Sequence, residues 1–119
     1  MIKINSLEGY EDIKDIYCMY KRLNKVYFKN VKSGKTIKPF KKVGKANGYM
    51  YLKLTTKDNK SKNIRIHRLI AIAYIKTNDT NLEVDHIDED RTNYKLDNLQ
   101  WITKKKNMLY RWNKRFREL

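Results

Sequence analysis

Apolar positions change their period twice along the chain. In residues 5–24, a turn at Gly9 precedes Tyr10, Ile13, Ile16, Tyr17 and Tyr20 at helical spacing. That spacing predicts a helix over residues 11–22, with a strand over residues 16–20 as the competing reading. From residue 25 to residue 66 the period is two. Val26 and Phe28 alternate with basic residues, Ser33-Gly34 turns, and Pro39 marks an edge or a strand end. Residues 49–54 alternate again, between turns at residues 45–48 and at Asp58-Asn59, and residues 63–66 form a last strand. The expectation is a small antiparallel sheet of three or four strands, apolar on one face and Lys-rich on the other. Helical spacing returns at residues 66–75, where Leu69, Ile70, Ala73 and Tyr74 share a stripe. After a polar connection, one short apolar run ends in Asp85-His86 and a second is Leu99-Gln100-Trp101-Ile102, with a polar loop of about ten residues between them. Thr103 then stands as an N-cap before a basic helix. That helix is expected to run through Trp112 to about Phe116, packing Met108, Leu109, Trp112 and Phe116 and exposing Arg111, Lys114, Arg115 and Arg117.

The predicted fold class is therefore α+β: a small antiparallel sheet, a helix, then a strand–loop–strand–helix unit. At 119 residues the chain makes one domain or one domain with a small appendage, divided here into residues 1–62 and 63–119. No apolar run reaches the roughly 18 residues that cross a bilayer, and the N-terminus lacks an apolar signal region. The single Cys18 excludes an intramolecular disulfide and a Cys-only zinc ribbon. A cytoplasmic protein without a membrane partner is expected.

Charge sharpens the picture. The net charge is +15, and it is unevenly spread. Residues 25–75 carry fourteen bases and one acid, Asp58; residues 76–100 carry seven acids and three bases; residues 101–119 carry seven bases and one acid, Glu118. An acidic island between two basic blocks fits a cation site set in a polyanion-binding surface. The plainer reading is a solvated basic surface, or lysines that blunt sheet edges. One acid among fifteen charges exceeds what edge protection needs, which favours DNA. The candidate phosphate contacts are Lys29, Lys38, Lys41, Lys53, Arg68, Lys104, Lys105 and Arg111.

The acidic island also carries the candidate chemistry. Hydrolysing a phosphodiester needs an activated water and charge relief on the phosphate. A neutral imidazole at His86 suits the first task. Asp85 and Asn107 supply hard oxygen ligands and leave positions for water and phosphate oxygens, a pattern Mg²⁺ tolerates. Adjacent strand residues point to opposite faces, so Asp85 and His86 can serve one phosphate only if the strand ends or bends there. Asp88, Glu89 and Asp90 lack the spacing and turn Gly of a calcium loop, and Asn93 suits side-chain-to-backbone bonds within the turn.

Asp85-His86-Ile87-Asp88, Asn93, Asn98-Leu99-Gln100-Trp101 and Asn107 together resemble the HNH endonuclease motif, in the branch found in phage and intron-encoded homing nucleases. His67-Arg68-Leu69-Ile70-Ala71 with Ala73-Tyr74 resembles the helix that precedes it there. The likeness runs from about residue 66 to residue 107. It departs at Glu89-Asp90, where relatives often carry Gly-Asn, and at Tyr94, where many carry a second Asn. The resemblance implies a ββα-metal (His-Me finger) fold and a DNA endonuclease. In it His86 is general base, Asp85 and Asn107 hold one Mg²⁺ or Mn²⁺ ion, and Asn98, twelve residues after His86, braces the loop. His67 either contacts or orients the reacting group, or is a capping or core histidine. The partner would be double-stranded DNA, nicked one strand per site, in a bacterial or phage-infected cell. A monomer is preferred over a homodimer because the last helix is expected to spend its apolar face on the core. The competing readings are a non-catalytic DNA binder on the same scaffold and a nuclease subunit of a larger phage or mobile-element assembly.

Overall fold

The computed structural model describes residues 1–42, 48–79 and 81–112. Strands β1 (Ile2–Lys3), β2 (Tyr17–Arg22) and β3 (Lys25–Asn30) form one antiparallel sheet in that order. Strands β4 (Phe40–Lys41), β5 (Met50–Thr55) and β6 (Ser61–Arg65) form a second, with β5 central. Helix α1 (Ile66–Tyr74) follows β6 directly. Strands β7 (Glu83–His86) and β8 (Leu99–Ile102) pair antiparallel, and α2 (Lys104–Trp112) closes the described chain. The α+β expectation holds, and none of the described helices is long and apolar enough to cross a membrane.

The helix expected over residues 11–22 is not formed. Residues 11–16 make turns, and residues 17–22 become β2. The helical stripe includes Tyr10, Ile13 and Tyr17, which are buried, but leaves out Cys18 and Met19, which are equally buried. Aromatic and sulfur-bearing side chains in this run pack well on a pleated surface. A two-residue turn at Leu23-Asn24 then lets β2 pair with β3 from Arg22↔Lys25 out to Tyr17↔Asn30. That ladder satisfies the backbone of both segments, which a lone amphipathic helix could not do better. The period-two region likewise splits. Its first strand joins β2, and only the later three form a sheet among themselves; the connection before β4 is bridged to β3 at Lys29 and Thr36. Pro39 leads into β4, an edge strand, where a missing N–H costs least.

One core joins these pieces. Ile4, Ile13, Met19, Phe28, Leu52, Leu54, Ile66, Leu69 and Ile70 are wholly buried, and the same cluster takes in Val84 and Leu99. It draws on both sides of the 62/63 boundary, which itself falls inside β6. Helix α1 lies at the centre, packed against β5, β6, β7 and β8. It has no side-chain N-cap, so burial of Ile66, Leu69 and Ile70 is what holds it, at about 2 kcal/mol for each side chain.

Thr103 does cap α2. Its Oγ accepts the Lys106 N–H at 3.1 Å, and its carbonyl accepts the Asn107 N–H at 3.0 Å. The face that packs is not the expected one. Tyr110 is buried, Leu109 is half-buried, and Met108 and Trp112 are 45% and 80% exposed. Helical geometry puts Asn107, Tyr110 and Arg111 on one stripe, and that polar and aromatic stripe faces β7. Trp112 is thereby turned to solvent, which removes the argument that this helix spends its apolar face on the core. Phe116, Lys114, Arg115 and Arg117 lie outside the described residues, as does most of the turn expected at residues 45–48.

Candidate active site

Strand β7 is the spine of the site. Asp85 pairs with Gln100 and His86 with Leu99 across the β7–β8 ladder. The chain turns as soon as His86 is passed: the Glu89 N–H bonds back to the His86 carbonyl at 2.9 Å, and Glu89 takes φ +66°. That is the left-handed region where Gly is usually favoured, and it is the position where Glu departs from the family pattern. Because β7 ends at His86, Asp85 and His86 line one cleft despite being neighbours in sequence. The cleft, of about 290 Å³, is completed by Tyr49, Val84, Glu89, Arg91, Asn107, Tyr110 and Arg111.

Asp85 and His86 are each 5% exposed. Gln100 Nε2 donates to Asp85 Oδ2 at 2.9 Å, fixing the carboxylate. Nε2 of His86 is buried with no hydrogen-bond partner among the described residues. Burial pushes the His86 pKa down; the Asp85, Asp88 and Asp90 carboxylates oppose this and Arg91 adds to it. The imidazole is therefore neutral at pH 7.

His67 sits in the first turn of α1 and is also buried. It stacks on Tyr49, with centroids 4.7 Å apart and planes 6° apart, and lies 5.0 Å from the His86 ring. Burial, reinforced by His86, Arg65, Arg68 and Arg91, lowers its pKa to about 3. It lines a smaller recess of about 190 Å³ that shares Tyr49, Val84, Asn107 and Arg111 with the main cleft. Its surroundings are those of a neutral histidine packed behind His86, and it does not cap α1.

Asn98 spends its whole side chain on the loop. Its Oδ1 accepts the Asp88 N–H at 2.9 Å, and its Nδ2 donates to Asp88 Oδ1 and the Asn93 carbonyl, each at 2.8 Å. Asn93 Nδ2 donates to the other Asp88 oxygen at 2.8 Å, and its Oδ1 accepts the Lys95 N–H at 3.3 Å. The Asn93 hydrogen bond, with those of the Asp90 amide and Asn98, holds the Asp88 carboxyl below the usual range.

Asn107 Nδ2 donates to Glu83 Oε2, and Arg111 stands 3.8 Å from the same oxygen. With the amide nitrogen so used, the Asn107 amide oxygen is its remaining polar side-chain atom. Together with Asp85 it gives two hard oxygen donors on one cleft, which fits a divalent ion that keeps several waters. Among the described residues, no group of three or more His, Cys, Asp or Glu is placed to hold a metal ion by itself.

The candidate DNA contacts are dispersed. Lys29 lies on β3, Lys41 on β4 and Lys53 on β5, with Lys38 in the connection before β4; all but the half-buried Lys29 are exposed. The expected single platform is thus spread over two sheets. Lys104 and Lys105 open α2, exposed, and Arg111 lines the cleft. Arg68 is half-buried, 5.6 Å from the Trp101 ring centroid and bonded to the Leu82 carbonyl at 3.4 Å. Sequence reasoning missed Tyr49, Glu83, Arg91, Gln100 and Tyr110. Arg91 had a signal, as a lone arginine within the acidic stretch; Tyr49 approaches only through the tertiary fold.

Residues 65–109, which carry this arrangement, match the HNH endonuclease family. Among curated relatives, the chain is similar to DNA endonuclease I-HmuI of Bacillus phage SP01, 35% identical over 99 residues. That match covers 83% of this chain and 55% of the relative. An uncharacterized HNH endonuclease of Acanthamoeba polyphaga mimivirus is 39% identical over 64 residues, covering 54% of this chain and 19% of that protein. A solved structure, describing DNA binding and cleavage by the HNH homing endonuclease I-HmuI, superposes with a TM-score of 0.64 at 32% identity. It covers 76% of this chain and 49% of that one. The chain thus spans about half the length of I-HmuI, and less of the mimivirus protein.

Proposed function

We propose that this chain is a metal-dependent DNA endonuclease of the HNH type that nicks one strand per active site. The observation that carries the reading is the convergence of Asp85, His86 and Asn107 on one cleft, with a neutral His86 beside two oxygen donors. His86 takes the proton from the attacking water. Asp85, oriented by Gln100, and Asn107, oriented by Glu83, hold the ion. Mg²⁺ or Mn²⁺ bound there supplies charge relief on the phosphate and leaving oxygen. Arg91 and Arg111 add positive charge at the cleft wall, and the exposed lysines of β4 and β5 grip the backbone at a distance. Asn98 and His67 position the loop and the His86 ring without touching the reacting atoms. A pure DNA binder would gain nothing from a buried carboxylate beside the phosphate.

The test is cleavage of supercoiled plasmid by wild type and His86→Ala, with Mg²⁺ and with EDTA. Removing a general base should lower the rate by about 10²–10⁴-fold while DNA affinity stays nearly constant. EDTA should stop the wild type. His86→Ala cutting at a rate close to wild type would dismiss the assignment.

A further inference from the structure

The loop after β7 has two flanks. Glu89 and Arg91 line the cleft just described, while the next residues, Thr92, Asn93, Tyr94 and Lys95, wall a separate pocket of about 630 Å³. Its other walls are β3 from Lys25 to Phe28 and the connection formed by residues 36–39. That volume is in the range of sites that enclose a small planar ligand.

Its lining is chemically consistent. Tyr27 and Tyr94 provide aromatic surface over a floor that includes the core residue Phe28; Lys25, Lys38 and Lys95 provide positive charge, and none of the described residues lining it is acidic. Tyr27 is 36% exposed, Tyr94 is half-buried, and Lys25, Lys38 and Lys95 are exposed. The walls are also firmly held. Asn24 accepts the Leu96 N–H at 3.0 Å through its carbonyl and the Asp97 N–H at 2.8 Å through its side chain, tying the loop to the β2–β3 turn. Asn93 and Asn98 fasten the loop to Asp88 from the other side. A rigid aromatic recess ringed by lysines suits a planar ring that carries a phosphate on either side. The loop of residues 89–95 borders both this recess and the proposed phosphate-cutting cleft.

We propose that this pocket is a subsite for an unstacked nucleobase of the DNA substrate. The inference rests on the nuclease reading and adds a preference to it: DNA with an unpaired nucleotide near the cut binds more tightly than perfectly paired duplex. Stacking on Tyr27 or Tyr94 supplies the affinity, and the lysines hold the flanking phosphates.

The probe is a duplex carrying 2-aminopurine as a one-nucleotide bulge, titrated with the full chain in EDTA so that nothing is cut, beside the same duplex with the base paired. The bulged probe should bind more tightly, and its emission should change on binding. Tyr94→Leu keeps an apolar side chain in the wall but removes the stacking surface. It should weaken binding of the bulged probe roughly 5- to 150-fold, the loss expected for one stacked base, and leave the paired duplex unchanged. Tyr27→Leu, on a more exposed side chain, gives the second reading should Tyr94→Leu melt early. Equal affinity for both probes, or equal weakening of both by the variants, overturns the subsite. Failure to bind either probe overturns the nuclease reading as well; plasmid nicking without a bulge preference overturns the subsite alone.

Discussion

A histidine held neutral in the core makes the fold acid-sensitive in a predictable window. The His67 pKa is about 3 in the folded chain and near its ordinary value of 6.5 when unfolded. Above pH 6.5 both states carry a neutral ring and nothing is lost. As pH falls below 6.5 the unfolded chain takes up a proton that the folded chain refuses, so stability drops by about 1.4 kcal/mol per pH unit until the folded pKa is reached. Between pH 7.5 and pH 4.5 the loss from His67 alone comes to about 2.6 kcal/mol. Asp12, Asp88 and Asp90, whose carboxyls are held lower than usual, lose their contribution only at more acid pH than this interval. His86, also lowered, remains in the variant and so contributes to the slope of both curves. The perturbation is His67→Phe, which keeps a ring against Tyr49 and removes the titrating group. Urea unfolding in EDTA at several pH values from 7.5 to 4.5 reads the outcome. Relative to the variant, the wild type should lose about 2.6 kcal/mol more on acidification, whatever the separation of the two curves at pH 7.5. Parallel curves would mean that His67 gains its proton in the folded chain at an ordinary pH, and that the buried stack is not as described.

Replacing Lys38, Lys41 and Lys53 by Gln should weaken binding to any DNA sequence and flatten the log–log salt dependence by roughly 0.9 for each phosphate no longer neutralised; an unchanged slope in the triple variant would take this face off the DNA. Leu23, 97% exposed, occupies a two-residue hairpin turn at φ +56°. Leu23→Gly should raise stability by roughly 0.5–1 kcal/mol in thermal melting, since the strain relieved outweighs the entropy added; a lower melting temperature would refute that balance. If the proposed single Asp85–His86 site acts alone, nicked plasmid should accumulate before linear DNA at a rate first order in protein. Direct linearisation rising with the square of concentration would point to pairing through the exposed Trp112.

Some of this molecule is legible in the sequence because its signals are local. Thr103 capping α2, the α1 stripe of Leu69 and Ile70, and a strand that stops at Asp85-His86 all follow from neighbours along the chain. The departures arise where a partner distant in sequence decides. Residues 17–22 carry a run that both periods can claim, and pairing with β3 settles it as a strand. Apolar character alone sends Trp112 to the core, yet the stripe of α2 that meets β7 is set by Glu83, which takes Asn107 and Arg111 together.

The grip of Glu83 on α2 shows why the side chains surrounding the candidate site were not legible in the sequence. Residues carrying chemistry are few in kind and spaced by the loop they share, so Asp85, His86, Asn98 and Asn107 stand out. The residues that orient them are ordinary: a Gln on the facing strand, a Glu two positions before Asp85, a Tyr just ahead of β5. Each is recruited because β7 must be gripped from three sides, by β8 through Gln100, by α2 through Glu83, and by the stacked rings of His67 and Tyr49. Burial among them holds His86 neutral, the state the proposed general base needs, and the like burial of His67 exposes the fold to acid. The chemistry of the cleft and the pH limit of its stability therefore have one physical cause.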